Sequence, residues 1–160
     1  MSQMTDPMNA LNELQIAIDN KAVSLNNCEI YPDLKVLFDE PLGTPRFTYA
    51  NTLNGKVKAV SLFVAAERME GIPCFGIGYA VEKSAQQKGL ATDIVKKSIE
   101  ELSNGLKRNG IPKFYVEAIV GTSNIPSIKL AEKLISKSPR ECTDEVSGEP
   151  AFQYVRLIEQ

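Results

Sequence analysis

Histidine is absent from all 160 residues. Its absence excludes Ser-His-Asp and Cys-His nucleophilic machinery and the common zinc sites, which need imidazole. Acid–base chemistry is left to carboxylates, hydroxyls, lysine, cysteine or water. Cysteine is sparse: Cys28, Cys74 and Cys142 are odd in number and widely separated, with no C-x-x-C. That usage points to free thiols in a reducing cytoplasm. A basic excess is missing as well. Eighteen Lys and Arg against 20 Asp and Glu leave a net charge of −2, so the footprint of a nucleic-acid binder is not there. No apolar run approaches the roughly 20 residues that cross a bilayer; the longest lies near Ala59 to Ala66. The opening residues, MSQMTDPMN, hold neither the basic segment nor the apolar core of a secretory leader, and a cytoplasmic setting is expected.

What is present reads as a globular chain. Hydrophobic residues make up 43% and charged residues 24%, and the length suits one domain with a real core. Asp6-Pro7 is an N-cap followed by a first-turn proline, and Leu11, Leu14 and Ile18 continue it as a helix over residues 7–19. Lys21 to Pro32 reads as irregular, and Leu34 to Phe38 as a strand. Phe47 to Leu53 and Lys56 to Ala66 are β-rich runs joined by Asn54-Gly55, a strong hairpin signal. A polar link over Glu67 to Pro73 then leads to a strand from Cys74 to Val81, completing an antiparallel meander.

Residues Gly76 to Thr92 change period within a few positions. Ile77, Tyr79 and Val81 alternate as in a strand; Ala91, Ile94, Val95, Ile99, Leu102 and Leu106 follow helical spacing. That helix reaches about Arg108 and stops at Asn109-Gly110, with Glu100 and Glu101 expected on a solvated outer face. Between strand and helix stands Gln86-Gln87-Lys88-Gly89-Leu90-Ala91. A helix start offers unpaired N–H groups and a positive dipole end, so this junction is a candidate anion site. A glycine there permits close approach of a phosphate. Phe114 to Val120 is the next strand, and strand–helix–strand implies a right-handed parallel crossover. Asn124-Ile125-Pro126-Ser127 opens a second helix with Ile128, Ala131, Leu134 and Ile135 as its apolar stripe. Two tail strands are expected near Pro139 to Glu145 and Ala151 to Leu157.

Strand, Q-x-x-G-x-A, helix, strand, N-x-x-S, helix resembles the GCN5-related N-acetyltransferases (GNAT). Ile77-Gly78-Tyr79 before the loop is similar to the ribosomal-protein N-terminal acetyltransferase branch. The resemblance covers about residues 47–135. It implies an α/β (α+β) fold: a GNAT-like mixed sheet, meander then β-α-β crossover, flanked by helices. In one domain over 1–160, residues 47–135 would be the acetyl-CoA-binding core and 136–160 its C-terminal strands. Residues 1–46 do not show the family's usual strand and two helices.

The resemblance implies acetyl-CoA as cosubstrate, no metal, and an amine acceptor, small molecule or protein N-terminus, and leaves a homodimer open. Pyrophosphate would lie on Gln86, Gln87, Lys88, Gly89, Leu90, Ala91 and Thr92. Pantetheine would lie between two strands that splay after a bulge, against the N–H groups of Tyr79 and Val81, with Asn124 contacting it or capping its helix. For catalysis, relatives place a glutamate five residues before the asparagine, which here is Ile119; Glu117 is two residues earlier, on the same face and roughly 6–7 Å away. Glu117 is the candidate general base, or else a structural partner. Relatives also carry a tyrosine seven residues after the asparagine, where this chain has Ala131. Ser127 is then the candidate acid, or a first-turn helix hydroxyl, with Tyr154 in reserve. These two departures support an alternative, a non-catalytic acyl-CoA-binding sensor or partner module.

Overall fold

Two tight turns organise the centre of the molecule, whose computed structural model describes residues 6–159. Asn54 (φ 51°) and Gly55 (φ 78°) close the hairpin between Arg46–Leu53 and Lys56–Met69. Glu70 (φ 52°) and Gly71 (φ 78°) close the next, into Ile72–Val81. Positive φ at both central residues gives the turn whose twist matches paired strands. The second turn corrects the expected polar link over 67–73. Two left-handed residues reverse the chain, so the strands extend into that segment from both sides.

In chain order the structure has α1 (Pro7–Asp19), β1 (Asn26–Asn27), β2 (Leu34–Asp39), β3 (Arg46–Leu53), β4 (Lys56–Met69) and β5 (Ile72–Val81). There follow α2 (Leu90–Arg108), β6 (Lys113–Gly121), α3 (Ile125–Leu134), β7 (Arg140–Thr143) and β8 (Pro150–Glu159). The strands form one sheet in the order β1-β2-β3-β4-β5-β6-β8-β7. β5 and β6 pair in parallel, joined through α2; the other neighbours are antiparallel. Ahead of the meander the order departs from a strand and two helices. α1 comes first, and β2 passes to β3 through a single turn at Pro41–Gly43.

Each face of the sheet is covered by helix. On one, Ile94, Val95 and Leu102 of α2 pack with Phe63, Phe114 and Val116. On the other, Leu11 and Leu14 of α1 cover Ala50, Val57, Val60 and Ala80. Fully burying one such side chain stabilises the fold by about 1.5–3 kcal/mol. Strand alternation sends Phe75, Ile77 and Tyr79 of β5 toward the α2 and α3 face, and Gly76, Gly78 and Ala80 toward α1.

The outer side of α2 is not simply solvated. Glu101 is 6% exposed and accepts the Ile30 N–H at 3.2 Å and the Tyr31 N–H at 2.6 Å. Glu100 accepts the Tyr31 hydroxyl. The two carboxylates hold the irregular segment before β2 against the helix, and the N–H donors replace the water that Glu101 loses on burial.

Candidate active site

The parallel ladder between β5 and β6 joins Cys74 to Tyr115, Phe75 to Val116 and Gly76 to Glu117. There it ends. β5 runs on to Val81, still paired with β4, while β6 runs on to Gly121, paired along its whole length with β8. Register decides which β5 groups are left over. The Glu82 N–H donates to the Lys58 carbonyl at 2.8 Å, in line with the β4–β5 register. Mutually bonded residues alternate along an antiparallel pair. Even-numbered residues of β5 therefore bond to β4, and Tyr79 and Val81 turn their N–H groups into the gap. The register is unbroken from Ala59/Val81 to Ala66/Cys74. The strands thus part without a register shift in β5, where the family resemblance implies a bulge; beyond the parting β5 stays paired with β4 and β6 with β8.

At the end of β5 the chain reaches α2 through a loop of alternating hand. Gln87 (φ 64°) and Gly89 (φ 75°) are left-handed, while Lys88 and Leu90 are not. Neighbours of opposite hand turn successive N–H groups into one concavity, an anion-binding nest. The first α2 bond runs from the Asp93 N–H to the Gly89 carbonyl at 3.1 Å, so the N–H groups of Leu90, Ala91 and Thr92 precede it. The helix dipole adds positive potential at the same place. Gln87, Lys88 and Gly89 are exposed. A Cβ on Gly89 would meet nothing within 4 Å, so the loop needs glycine for its φ. The Gln86 amide donates to the Val81 carbonyl at 3.0 Å and ties the loop back to the strand.

Between the parted strands lies a cleft of about 740 Å³, walled by β5, β6, α3 and the β7–β8 hairpin. Tyr79, Glu117, Asn124 and Ser127 all line it. Asn124 caps α3, its side chain accepting the Ser127 N–H at 3.3 Å. The Ser127 and Tyr79 hydroxyls are 2.5 Å apart and either can donate, which joins the first turn of α3 to β5. Glu117 accepts a 2.6 Å hydrogen bond from the side-chain amide of Gln153, which also lines the cleft. Gln153 escapes sequence reading, although a polar residue beside Ile119 in the β6–β8 register is the kind of signal that finds it. Tyr154 lies elsewhere. It is fully buried on the α2 and α3 face, its ring edge-on to Phe152 at 6.4 Å, and burial pushes its hydroxyl above the usual phenol range. Among the charged residues of the lining, carboxylates predominate: Asp6, Glu117, Asp144 and Glu145 stand against Arg140.

No protein-family model matches the chain, and no curated protein matches it in sequence. Solved structures do. An acetyltransferase of the GNAT family from Streptococcus pneumoniae is similar at 16% identity over 98% of both chains, with a TM-score of 0.52. This is the GNAT fold. The ribosomal-protein-S5-alanine acetyltransferase of Vibrio fischeri shares that fold at 15% identity and a TM-score of 0.53, over 71% of this chain and 61% of that one. A ribosomal L7/L12 alpha-N-protein acetyltransferase in complex with coenzyme A follows at 20% identity and 0.50, over 71% and 62%.

Proposed function

We propose that this chain transfers an acetyl group from acetyl-CoA to a primary amine by direct attack on the thioester. The observation that carries the reading is the parting of β5 and β6 beyond Gly76 and Glu117. It leaves the Tyr79 and Val81 N–H groups free along a path that leads from the cleft to the nest. The nest and Lys88 suit a pyrophosphate, and the edge of β5 suits the amides of pantetheine as an added strand. Coenzyme A bound in the L7/L12 acetyltransferase supports this use of the fold.

The residues then divide the reaction. A backbone N–H aimed at the thioester carbonyl stabilises the tetrahedral oxyanion, worth about 3–4 kcal/mol for one such donor. The acidic lining draws in a cationic amine, and Glu117, held by Gln153, accepts its proton so that the nitrogen can attack. Ser127 stands on the leaving-group side with Asn124 fixing its turn. A protein N-terminus is the first acceptor to try, because two of the similar structures are ribosomal-protein acetyltransferases. The second reading, an acyl-CoA sensor without transfer, draws on Ala131 standing in place of a donor tyrosine.

One experiment separates the readings. Acetyl-CoA is added during thermal unfolding, and thiol release is then followed with an alanine-initiated peptide, a free amino acid and a polyamine. A raised melting temperature with thiol release supports transfer, and a raised temperature with none supports the sensor. An unchanged melting temperature at saturating acetyl-CoA sinks both.

A further inference from the structure

Position 131 is alanine, 1% exposed and lining the cleft, so α3 offers no phenol there. A phenol reaches the same helix from the sheet instead. The Tyr79 ring leaves β5 toward α2 and α3, and its hydroxyl meets Ser127 Oγ at 2.5 Å, one helical turn before Ala131. Both side chains are half-buried and line the cleft. The backbone N–H of Tyr79 faces the gap between β5 and β6, and Tyr79 and Ser127 both line the cleft beside that gap.

The two hydroxyls carry two protons, one of which lies in their mutual bond. When Ser127 donates to Tyr79, the free proton is the phenolic one. A phenol ionises near about pH 10, which makes it a far stronger acid than an aliphatic hydroxyl.

We propose that Tyr79 is the proton donor to the departing CoA sulfur, and that Ser127 is the residue that positions it. The inference rests on the acetyl-transfer reading. The amine nitrogen forms its bond to the acetyl carbon, and the tetrahedral intermediate collapses. The C–S bond breaks, its electron pair stays on sulfur, and sulfur takes the Tyr79 proton. The phenolate, held by the Ser127 O–H, regains a proton from water in the cleft. That proton balances the one surrendered by the amine. Ser127 thereby changes role, from the acid itself to the support of a stronger one.

The test uses the full chain, acetyl-CoA, and hydroxylamine as acceptor. Hydroxylamine is already unprotonated at neutral pH, so amine deprotonation drops out and the leaving-group step is isolated. Wild-type kcat should fall at alkaline pH as the phenol ionises. Tyr79→Phe, which keeps the ring, should lower kcat at neutral pH at least tenfold, erase the alkaline fall and retain the acetyl-CoA thermal shift. Ser127→Ala should cost less and keep the alkaline fall that Tyr79→Phe erases, because the phenol is still present but no longer held by Ser127. Replacing Tyr79 by 3-fluorotyrosine preserves shape and lowers phenol pKa, and should move the limb to lower pH even if Tyr79→Phe misfolds. Wild-type kcat in folded Tyr79→Phe, or an unmoved limb with 3-fluorotyrosine, overturns the inference while leaving acetyl transfer standing. A wild type that shows neither thermal shift nor hydroxamate formation overturns both.

Discussion

Glu117 and Gln153 are joined by a 2.6 Å hydrogen bond that runs diagonally across β6 and β8. In the register Glu117 lies opposite Val155 and Gln153 opposite Ile119, so the two share a face without being direct partners. Long side chains span such a diagonal. The bond occupies one carboxylate oxygen, Oε2, and leaves Oε1 for a second partner. A carboxylate set in an otherwise apolar strand is thereby both satisfied and aimed.

If Glu117 takes the proton of the amine, Glu117→Gln should lower the rate of acetyl transfer about 100-fold at neutral pH. The deficit should shrink as pH rises, because the amine then arrives unprotonated. Gln153→Ala should give a smaller loss with the same pH trend, since it frees the carboxylate without removing it. Rate–pH profiles with a polyamine acceptor, read beside melting temperatures, decide this. Wild-type rates at every pH in a stable Glu117→Gln variant return the residue to a structural role.

Much of this arrangement is legible in the sequence, and the rest fails for identifiable reasons. Asn54-Gly55, Gly89 and Asn124 each act locally: a turn, a left-handed cap and a side-chain cap need no distant partner, and each stands where its residue type puts it. The parting of β5 from β6 is not local. It lies between strands held by different partners, β5 by β4 and β6 by β8, which follows far along the chain. Glu101 is hidden for the same reason, since only the folded chain brings the N–H groups of Ile30 and Tyr31 to it. The pairing of Tyr79 with Ser127 joins residues 48 positions apart, and neither motif contains both.

The three thiols should separate by reactivity. Burial pushes Cys28 up to about 12 and Cys74 up to about 11, while Cys142, part-exposed at the cleft, is raised by partial burial with Arg140 opposing. The thiolate is the reactive species. At pH 8 an aromatic disulfide reagent should label Cys142 first, and Cys28 and Cys74 only after denaturant is added. The same shifts set a stability trend. Unfolded thiols ionise near pH 9 while the folded ones keep their protons, so stability falls from about pH 9 upward toward pH 11–12. Simultaneous labelling of all three thiols in the native state contradicts the burial.

Ala131→Tyr should destabilise the chain by about 1–3 kcal/mol through overpacking, because Ala131 sits in the core beside Leu130 and Ile135. No gain in acetyl transfer is expected from it. Urea unfolding gives the first quantity and thiol release the second. A stable and faster variant shows that the cleft accepts a donor from α3 after all.

Gly89 allows the fold and the anion site to be tested apart. At φ 75° any L-residue is strained, so Gly89→Ala should cost about 1–2 kcal/mol of stability. The space around the added Cβ is open, and the N–H groups of Leu90, Ala91 and Thr92 are untouched. Acetyl-CoA should therefore still raise the melting temperature of Gly89→Ala, starting from a lower baseline. Gly89→Glu carries the same backbone strain and adds a negative charge at the N-cap, where it competes with phosphate for the nest and the helix dipole. Its melting temperature without ligand should resemble that of Gly89→Ala, and acetyl-CoA should no longer shift it. A ligand shift of wild-type size in Gly89→Glu means that the pyrophosphate does not lie at this helix start.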